Sequence, residues 1–403
     1  MIYLVLLFVL LVPAVKIDIL GKKGGEKVWY YCCLLSVVLL AGLRYRVGGD
    51  TISYMDEFEQ LPTLSDLASF DFFRAYYMPG WYVLNAFFRS IDSFLCFQLF
   101  VALVVNVAFF RFIRRYSARV FITIVAYYVV FFVFYNMEVM REALCVAIFL
   151  EAFWLLDRKK NYWAYFLLCA LAMTIHISAV IMLIVPLILL MKKDNFIACS
   201  SVCLVMVLAL SVVRIDDVIM SVNIKIKGGF GYYVIDRLKY YIGNNPSNVK
   251  FMVSRYAYAL PFLGVMFLRW RYRFDNDNSL GVMAMMIVFF NCLSGSLKLF
   301  ERCNSYFDMI GLVFIVNTIA KNWRQLADKC FAAVVTLCVI LCYIANYAYF
   351  YTKGQDHLVA GFRFYNRYVP YSSYLNPQKD ADRELYRQLE MNCNNASKDE
   401  VRY

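Results

Sequence analysis

Leu43-Arg44-Tyr45-Arg46-Val47-Gly48-Gly49-Asp50-Thr51-Ile52-Ser53-Tyr54-Met55-Asp56-Glu57 follows directly on an apolar run, Val28 to Gly42, long enough to cross most of a bilayer. Two arginines, a glycine pair and an aspartate at the mouth of such a run are costly to place there, because charge resists leaving water. Cations, donors and a carboxylate gathered at one membrane surface suggest a site for an anionic ligand. Read outward from this stretch, the chain becomes a series of membrane helices whose outer ends carry the chemistry.

The composition agrees. Of 403 residues, 62% are hydrophobic, and the mean hydropathy is +0.59. Soluble domains sit near half apolar, so the chain reads as an integral membrane protein. Phe and Tyr are abundant, as expected for residues that fill helix interfaces and sit among headgroups. The net charge of +12 reflects basic cytoplasmic loops rather than a nucleic-acid surface. The thirteen cysteines are scattered through apolar runs with no CxxC spacing and read as small buried hydrophobes, so neither a disulfide frame nor a metal site is expected. Met1 to Val15 lacks a basic n-region and a small-x-small cleavage site, and reads as a retained first helix.

Apolar runs fall near 2–19, 28–43, 93–110, 120–135, 142–156, 162–175, 177–191, 196–213, 251–268, 280–299, 305–320 and 330–350. A span needs about 20 apolar residues, fewer where the bilayer thins. The expectation is an all-α polytopic protein of about 12 transmembrane helices forming a single domain over 1–403. Basic clusters follow alternate runs: Lys22, Lys23 and Lys27; Arg111, Arg114, Arg115 and Arg119; Arg158, Lys159 and Lys160; Lys192 and Lys193; Arg269, Arg271 and Arg273; Lys321, Arg324 and Lys329. The positive-inside rule places all of them in the cytoplasm and both termini outside. Tyr162 to Met191 carries a basic cluster at each end, which requires two short helices meeting near His176. Tyr82 to Ile91 is too short to span and is expected to be re-entrant or interfacial. The outer side then holds large loops at 44–79 and 214–250, a short turn at Glu301-Arg302, and a tail at 351–403.

Ionisable residues at membrane depth default to function. Here they gather at the outer side: Arg44, Arg46 and Asp50; Glu138, Arg141 and Glu142; His176; Arg255; Lys298, Glu301 and Arg302. Each also has a plainer reading. Arg44 and Arg46 suit snorkelling anchors, although an outer arginine pair runs against the charge bias. Glu138 and Arg141 suit a helical ion pair, Arg302 suits a pair with Glu301, Arg255 suits a partner carboxylate in an outer loop, and His176 suits a satisfied helix end. There is no Walker A motif, no GxGxxG after a strand, no DxD pair in a soluble domain and no HExxH, so a cytoplasmic sugar-nucleotide transferase is not expected. What remains is an arginine-rich, outward pocket among lipid-facing helices. Arginine forks suit phosphate oxygens, so a diphosphate head with a long lipid tail would fit.

At these residues the chain resembles the EpsG family of bacterial exopolysaccharide proteins, related to Wzy-type polymerases. The family's Arg-aromatic, Gly-x-Asp and Tyr pattern is matched by Arg44-Tyr45, Gly48-Gly49-Asp50 and Tyr54. Its arginine opening a helix is matched by Met140-Arg141-Glu142-Ala143-Leu144, with Glu142 where a Gln is common. Its hydrophobic-His-x-Ser-Ala element is matched by Ile175-His176-Ile177-Ser178-Ala179. Glu301-Arg302 with Tyr306, and Val369-Pro370-Tyr371-Ser372-Ser373, are also similar.

The resemblance implies a GT-C-like helical fold in the bacterial cytoplasmic (inner) membrane. It implies a polymerase joining oligosaccharide repeats on undecaprenyl diphosphate at the outer face, with a flippase and a chain-length regulator as further partners and no cofactor. On that reading Arg44, Arg141 and Arg302 hold the diphosphate, with Arg46 and Arg255 as alternates. Asp50, Glu142 and His176, in that order, are candidates for the base on the acceptor hydroxyl. Tyr54, Tyr306 and, from the second loop, Tyr232, Tyr233 and Tyr240 are expected to hold the glycan. Three rival readings stay open: a flippase or transporter for the lipid-linked sugar, a membrane O-acetyltransferase, and a ligase that moves finished polymer to another acceptor.

Overall fold

The computed structural model describes residues 1–22, 24–72, 75, 77–190, 205, 249–273, 278–294, 300–327, 330–352, 354 and 359–400. Helices dominate them, and the β pairing among them is confined to isolated bridges. The apolar runs become helices in order. They are α1 (Ile2–Pro13), continued by a π-type segment Ala14–Ile19, α2 (Glu26–Gly42), α3 (Gly49–Glu57), α4 (Pro79–Ser90), α5 (Phe94–Tyr116), α6 (Val120–Val130), α7 (Met140–Asp157) and α8 (Tyr162–Ile175). A 3-10 segment Ile177–Ile184 leads into α9 (Val185–Ile188). Later come α10 (Val249–Tyr272), α11 (Asn278–Ser294), α12 (Glu301–Lys321), α13 (Trp323–Ala327), α14 (Cys330–Thr352) and α15 (Ala381–Glu400).

Among the described residues, three helical stretches are long and apolar enough to cross a membrane: Ile2–Ile19, Phe94–Tyr116 and Glu301–Lys321. Shorter apolar helices run over Val120–Val130, Tyr162–Ile175, Ile177–Ile188, Ser279–Ser294 and Phe331–Cys342. The protein is a multi-pass, all-helical membrane protein. The expected run 196–213 and the second outer loop, 214–250, fall almost wholly outside the described residues. α4 has 12 residues, so it reaches about 18 Å and does not span a bilayer by itself.

Helix contacts sort the helix ends into two sets. Gln98, at the start of α5, donates to the carbonyls of Gly42 and Arg44 at 2.7 Å, so α2 ends where α5 begins. At the far end of α5, Tyr116 donates to Asp157 at the end of α7 (2.9 Å), and Asn317 near the end of α12 donates to the Tyr116 carbonyl (2.7 Å). Arg44, Glu142, His176 and Arg302 therefore share one end of the bundle, and Arg111 to Arg119 lie at the other.

Two physical devices hold the bundle. Aromatic rings interlock, as where buried Trp81 meets Tyr54 and Phe97 at 5.1 and 5.4 Å between ring centres. Deeper, a closed polar triad links α5, α6 and the π-type turn Phe134–Glu138. Asn106 donates to the Asn136 carbonyl oxygen (2.6 Å), Tyr127 donates to Asn106 (2.7 Å), and Asn136 donates to Tyr127 (2.9 Å). Satisfied side-chain bonds of this kind tie membrane helices together where apolar contact alone discriminates poorly.

The opening stretch forms a compact elbow between α2 and α3. Gly48 has φ +103, and a Cβ there would lie 2.4 Å from the Met137 carbonyl oxygen, so only glycine fits. Its N–H donates to the Arg367 carbonyl (3.0 Å), and Tyr45 N–H donates to the Ser372 carbonyl (2.9 Å). Residues 363–390 are thus woven into the elbow.

Candidate functional site

The site begins where α7 and α12 start side by side. Glu142, in the first turn of α7, is buried, with 2% of its side chain exposed. Arg302, in the first turn of α12, donates to its Oε2 at 2.6 Å. Ser305 donates to its Oε1 and, three residues after Arg302, lies on the same helix face. Arg302 keeps 40% of its side chain exposed, so the pair joins the protein interior to an open surface. Beside it Arg255 on α10 pairs with Glu301 at 2.7 Å. The two adjacent residues that looked like partners, Glu301 and Arg302, face different helices.

Next to Glu142 in sequence, Arg141 projects elsewhere. Its Nε donates to the Tyr54 hydroxyl (2.7 Å), and its guanidinium stacks over Tyr77 at 4.3 Å from the ring centre, with the Tyr54 and Trp81 rings also near. Burial pushes the Tyr77 hydroxyl well up, with Tyr54 and Glu57 adding to it, so it stays protonated and donates to Glu57 (2.5 Å). Glu138 does not pair with Arg141: it accepts from Gly49 N–H (2.8 Å) and from Arg367 (2.9 Å).

α8 stops at Ile175, and His176 is extended (φ −148, ψ 132), which is the break expected within 162–191. Its Nδ1 accepts the Ser178 N–H at 3.2 Å and lies 2.6 Å from Ser178 Oγ, which in turn meets the Tyr306 hydroxyl at 2.9 Å. With Nδ1 accepting, the neutral ring carries its proton on Nε2. His176, Ser178 and Tyr306 thus form a relay beside the Glu142–Arg302 pair.

Several expectations need correction. Arg44 is 1% exposed. Its Nε and Nη2 donate to Thr51 Oγ1 (3.0 and 2.8 Å), and Nη1 donates to the Ala41 carbonyl. Burial pushes this guanidinium down to about 10. Its donors are spent inside the elbow, so it fastens the turn instead of reaching a phosphate. Arg46 is likewise engaged, holding Asp56 (2.6 Å) and Glu384 (2.6 Å) with bidentate geometry to both. Its hydrogen bonds to Glu384 and then to Asp56 push its pKa up and hold it firmly protonated. Tyr54 (5% exposed) and Tyr306 (0%) are enclosed, so their rings position Arg141 and Ser178 and cannot stack on a sugar. Tyr232, Tyr233, Tyr240 and Lys298 lie outside the described residues. Asp50 sits in the first turn of α3, and its side chain likewise lies outside the description.

Residues that the sequence did not single out complete the site: Ser305, Tyr77, Trp81, Arg367 and Arg383. Helical spacing from Arg302 could have found Ser305. Nothing in the tail's one-dimensional pattern marked Arg383, which is 2% exposed and donates to the carbonyls of Arg46 (3.0 Å) and Pro370 (2.7 Å). Among the described residues, no group of three His, Cys, Asp or Glu could hold a metal ion.

Arg46→Ala is expected to loosen the tail at the elbow at a cost of about 1–2 kcal/mol, since Glu384 loses its charge-assisted hydrogen bonds while the more exposed Asp56 is rehydrated. The detergent-purified variant should melt earlier and be cut by protease within 374–390; unchanged melting and protection would show that the clamp is unimportant.

No curated protein and no solved structure matches the chain. The EpsG family matches over residues 27–373, which includes the elbow, the α7 start, the His176 break and the α12 start. The chain therefore belongs to the EpsG family, membrane proteins of polysaccharide biosynthesis.

Proposed function

We propose that this protein is a polysaccharide polymerase. It joins oligosaccharide repeats carried on undecaprenyl diphosphate, with its site at the outer face of the bacterial cytoplasmic membrane, both termini outside and a GT-C-like arrangement of helices. The observation that carries this reading is the buried Glu142 fixing a half-exposed Arg302 at one end of the bundle, beside Arg141 and the His176 relay, in a chain of this family.

The reaction forms a bond from the acceptor hydroxyl oxygen to the anomeric carbon of the growing chain. The bond from that carbon to the phosphate oxygen breaks, and the lipid diphosphate leaves with the electron pair. Charge grows on the leaving phosphate, so fixed guanidinium groups stabilise the transition state more than the ground state. Arg302, prepositioned by Glu142, and Arg141, held by Tyr54 and Tyr77, take that role, with Arg255 flanking them. His176 donates from Nε2 to a phosphate or sugar oxygen. Glu142 acts as a positioning residue, because Arg302 and Ser305 occupy both its oxygens. His176 accepts through Nδ1, so the acceptor proton is left to Asp50. The loop bearing Tyr232, Tyr233 and Tyr240 holds the glycan. A flippase supplies the repeats and a chain-length regulator sets their number.

Purified protein reconstituted with lipid-linked repeats should yield a ladder of polymer and free undecaprenyl diphosphate. Unaltered single repeats would overturn the proposal. Repeats carried across the bilayer with no bond formed would mark a flippase, and a single transfer to a different acceptor would mark a ligase.

A further inference from the structure

Three arginines converge at the end of the bundle remote from the candidate site, where the proposed reaction has no use for them. Between the first turns of α2 and the last turns of α5 lies an open groove of about 570 Å³. α2 contributes Tyr30, Tyr31 and Leu34 to its lining, and α5 contributes Val107, Arg111, Arg114 and Arg115. Arg111 and Arg115 share a single carboxylate, Glu151, at 3.2 and 2.7 Å. The Arg114 guanidinium lies over the Tyr30 ring at 5.2 Å, and its side chain forms no ion pair among the described residues. All three guanidinium groups act electrostatically on the Tyr30 hydroxyl. The groove thus holds three fixed cations against one anion.

Its position indicates what balances the surplus. Tyr30 is twelve residues before Gly42 on one helix, which places the groove about 18 Å along α2 from the elbow. The outer face of α2 beside it is apolar and exposed, with Val28 at 66% and Leu35 at 59%. In a membrane protein that face meets lipid. The groove therefore has a basic rim at the helix ends and an apolar side running from the rim toward the bilayer interior. A free anion would use the rim and leave Leu34 and Val107 bare. A lipid with an anionic head would use both, its phosphate on the arginine forks and its upper acyl chain along the apolar side.

We propose that this groove binds the headgroup of an anionic membrane phospholipid, independently of the reaction at the other end. The test uses full-length protein reconstituted in mixed phosphatidylcholine–phosphatidylglycerol vesicles, extracted gently and weighed by native mass spectrometry. The wild type should retain phosphatidylglycerol in preference to phosphatidylcholine. Arg111→Gln with Arg114→Gln should lower retained phosphatidylglycerol about tenfold, since each basic residue near the surface adds measurably to anionic-lipid affinity. Arg111→Lys with Arg114→Lys should keep most of it. Leu34→Trp, which fills the groove and spares every charge, should also reduce it, and decides the matter if the double glutamine variant does not fold. Equal retention in wild type and in either the glutamine or the tryptophan variant would overturn the proposal. So would displacement of the lipid by inorganic phosphate alone, which would mark a simple anion site.

Discussion

Arg302→Ala is expected to abolish long polymer, lowering the rate of bond formation at least about 100-fold, the usual effect of removing one preorganised donor from developing negative charge. The loss has a second component. Glu142 would be left buried with only Ser305, and an uncompensated buried carboxylate costs about 3–5 kcal/mol of stability. The pairing separates the two effects. Arg302→Ala combined with Glu142→Gln removes the stranded charge, so melting temperature should recover while polymerisation stays absent. Glu142→Gln alone keeps the guanidinium but loosens its aim, and should cost about tenfold in rate with nearly normal binding of lipid-linked repeats. Arg302→Lys keeps charge without the fork and should rescue only in part. The assay is polymer ladder against single-repeat product at matched protein level. Normal ladders from a well-folded Arg302→Ala protein would remove Arg302 from the site.

Asp50→Asn should have an effect of similar size, about 100-fold to 10,000-fold, if Asp50 takes the acceptor proton, because asparagine is nearly the same shape but not a base. The gain in discrimination comes from comparing pH profiles. Loss of a general base flattens the acidic limb of the rate profile, whereas a structural residue scales the whole profile down. The same substitution should leave binding of the lipid diphosphate unchanged, since that is assigned to the arginines. A full-rate Asp50→Asn enzyme would remove Asp50 as the base.

The helices were legible because their signal is local. Apolar runs became α1, α2, α5 to α8, α10 to α12 and α14, and basic clusters at both ends of 162–191 demanded the break found at His176. The gathering of charged groups at one end of the bundle was legible for the same reason, since such groups at helix mouths stand out against apolar sequence. The pairings were not. Arg302 meets Glu142, 160 residues away, whereas sequence proximity favoured Glu301. Neighbours at i and i+1 diverge on a helix, and the correct partner is set by which helices pack. Arg44 failed for a different reason: its sequence context marks it as costly, but cost is met equally well by a ligand or by an internal acceptor such as Thr51. Only the enclosure of its guanidinium distinguishes them.

The elbow's dependence on residues 363–390 has a consequence for how the protein is made. Arg46 and Glu384 are 338 residues apart, and Tyr3 donates to the Tyr368 carbonyl across 365. While the ribosome is still working through the last helices, Arg46, Gly48 and Glu138 lack the groups that later hold them. The early segment must wait, inserted but unlatched, until its late partners emerge. Newly made chains are thus most open to quality-control proteases at this end, and the elbow tightens as one of the closing events of biogenesis.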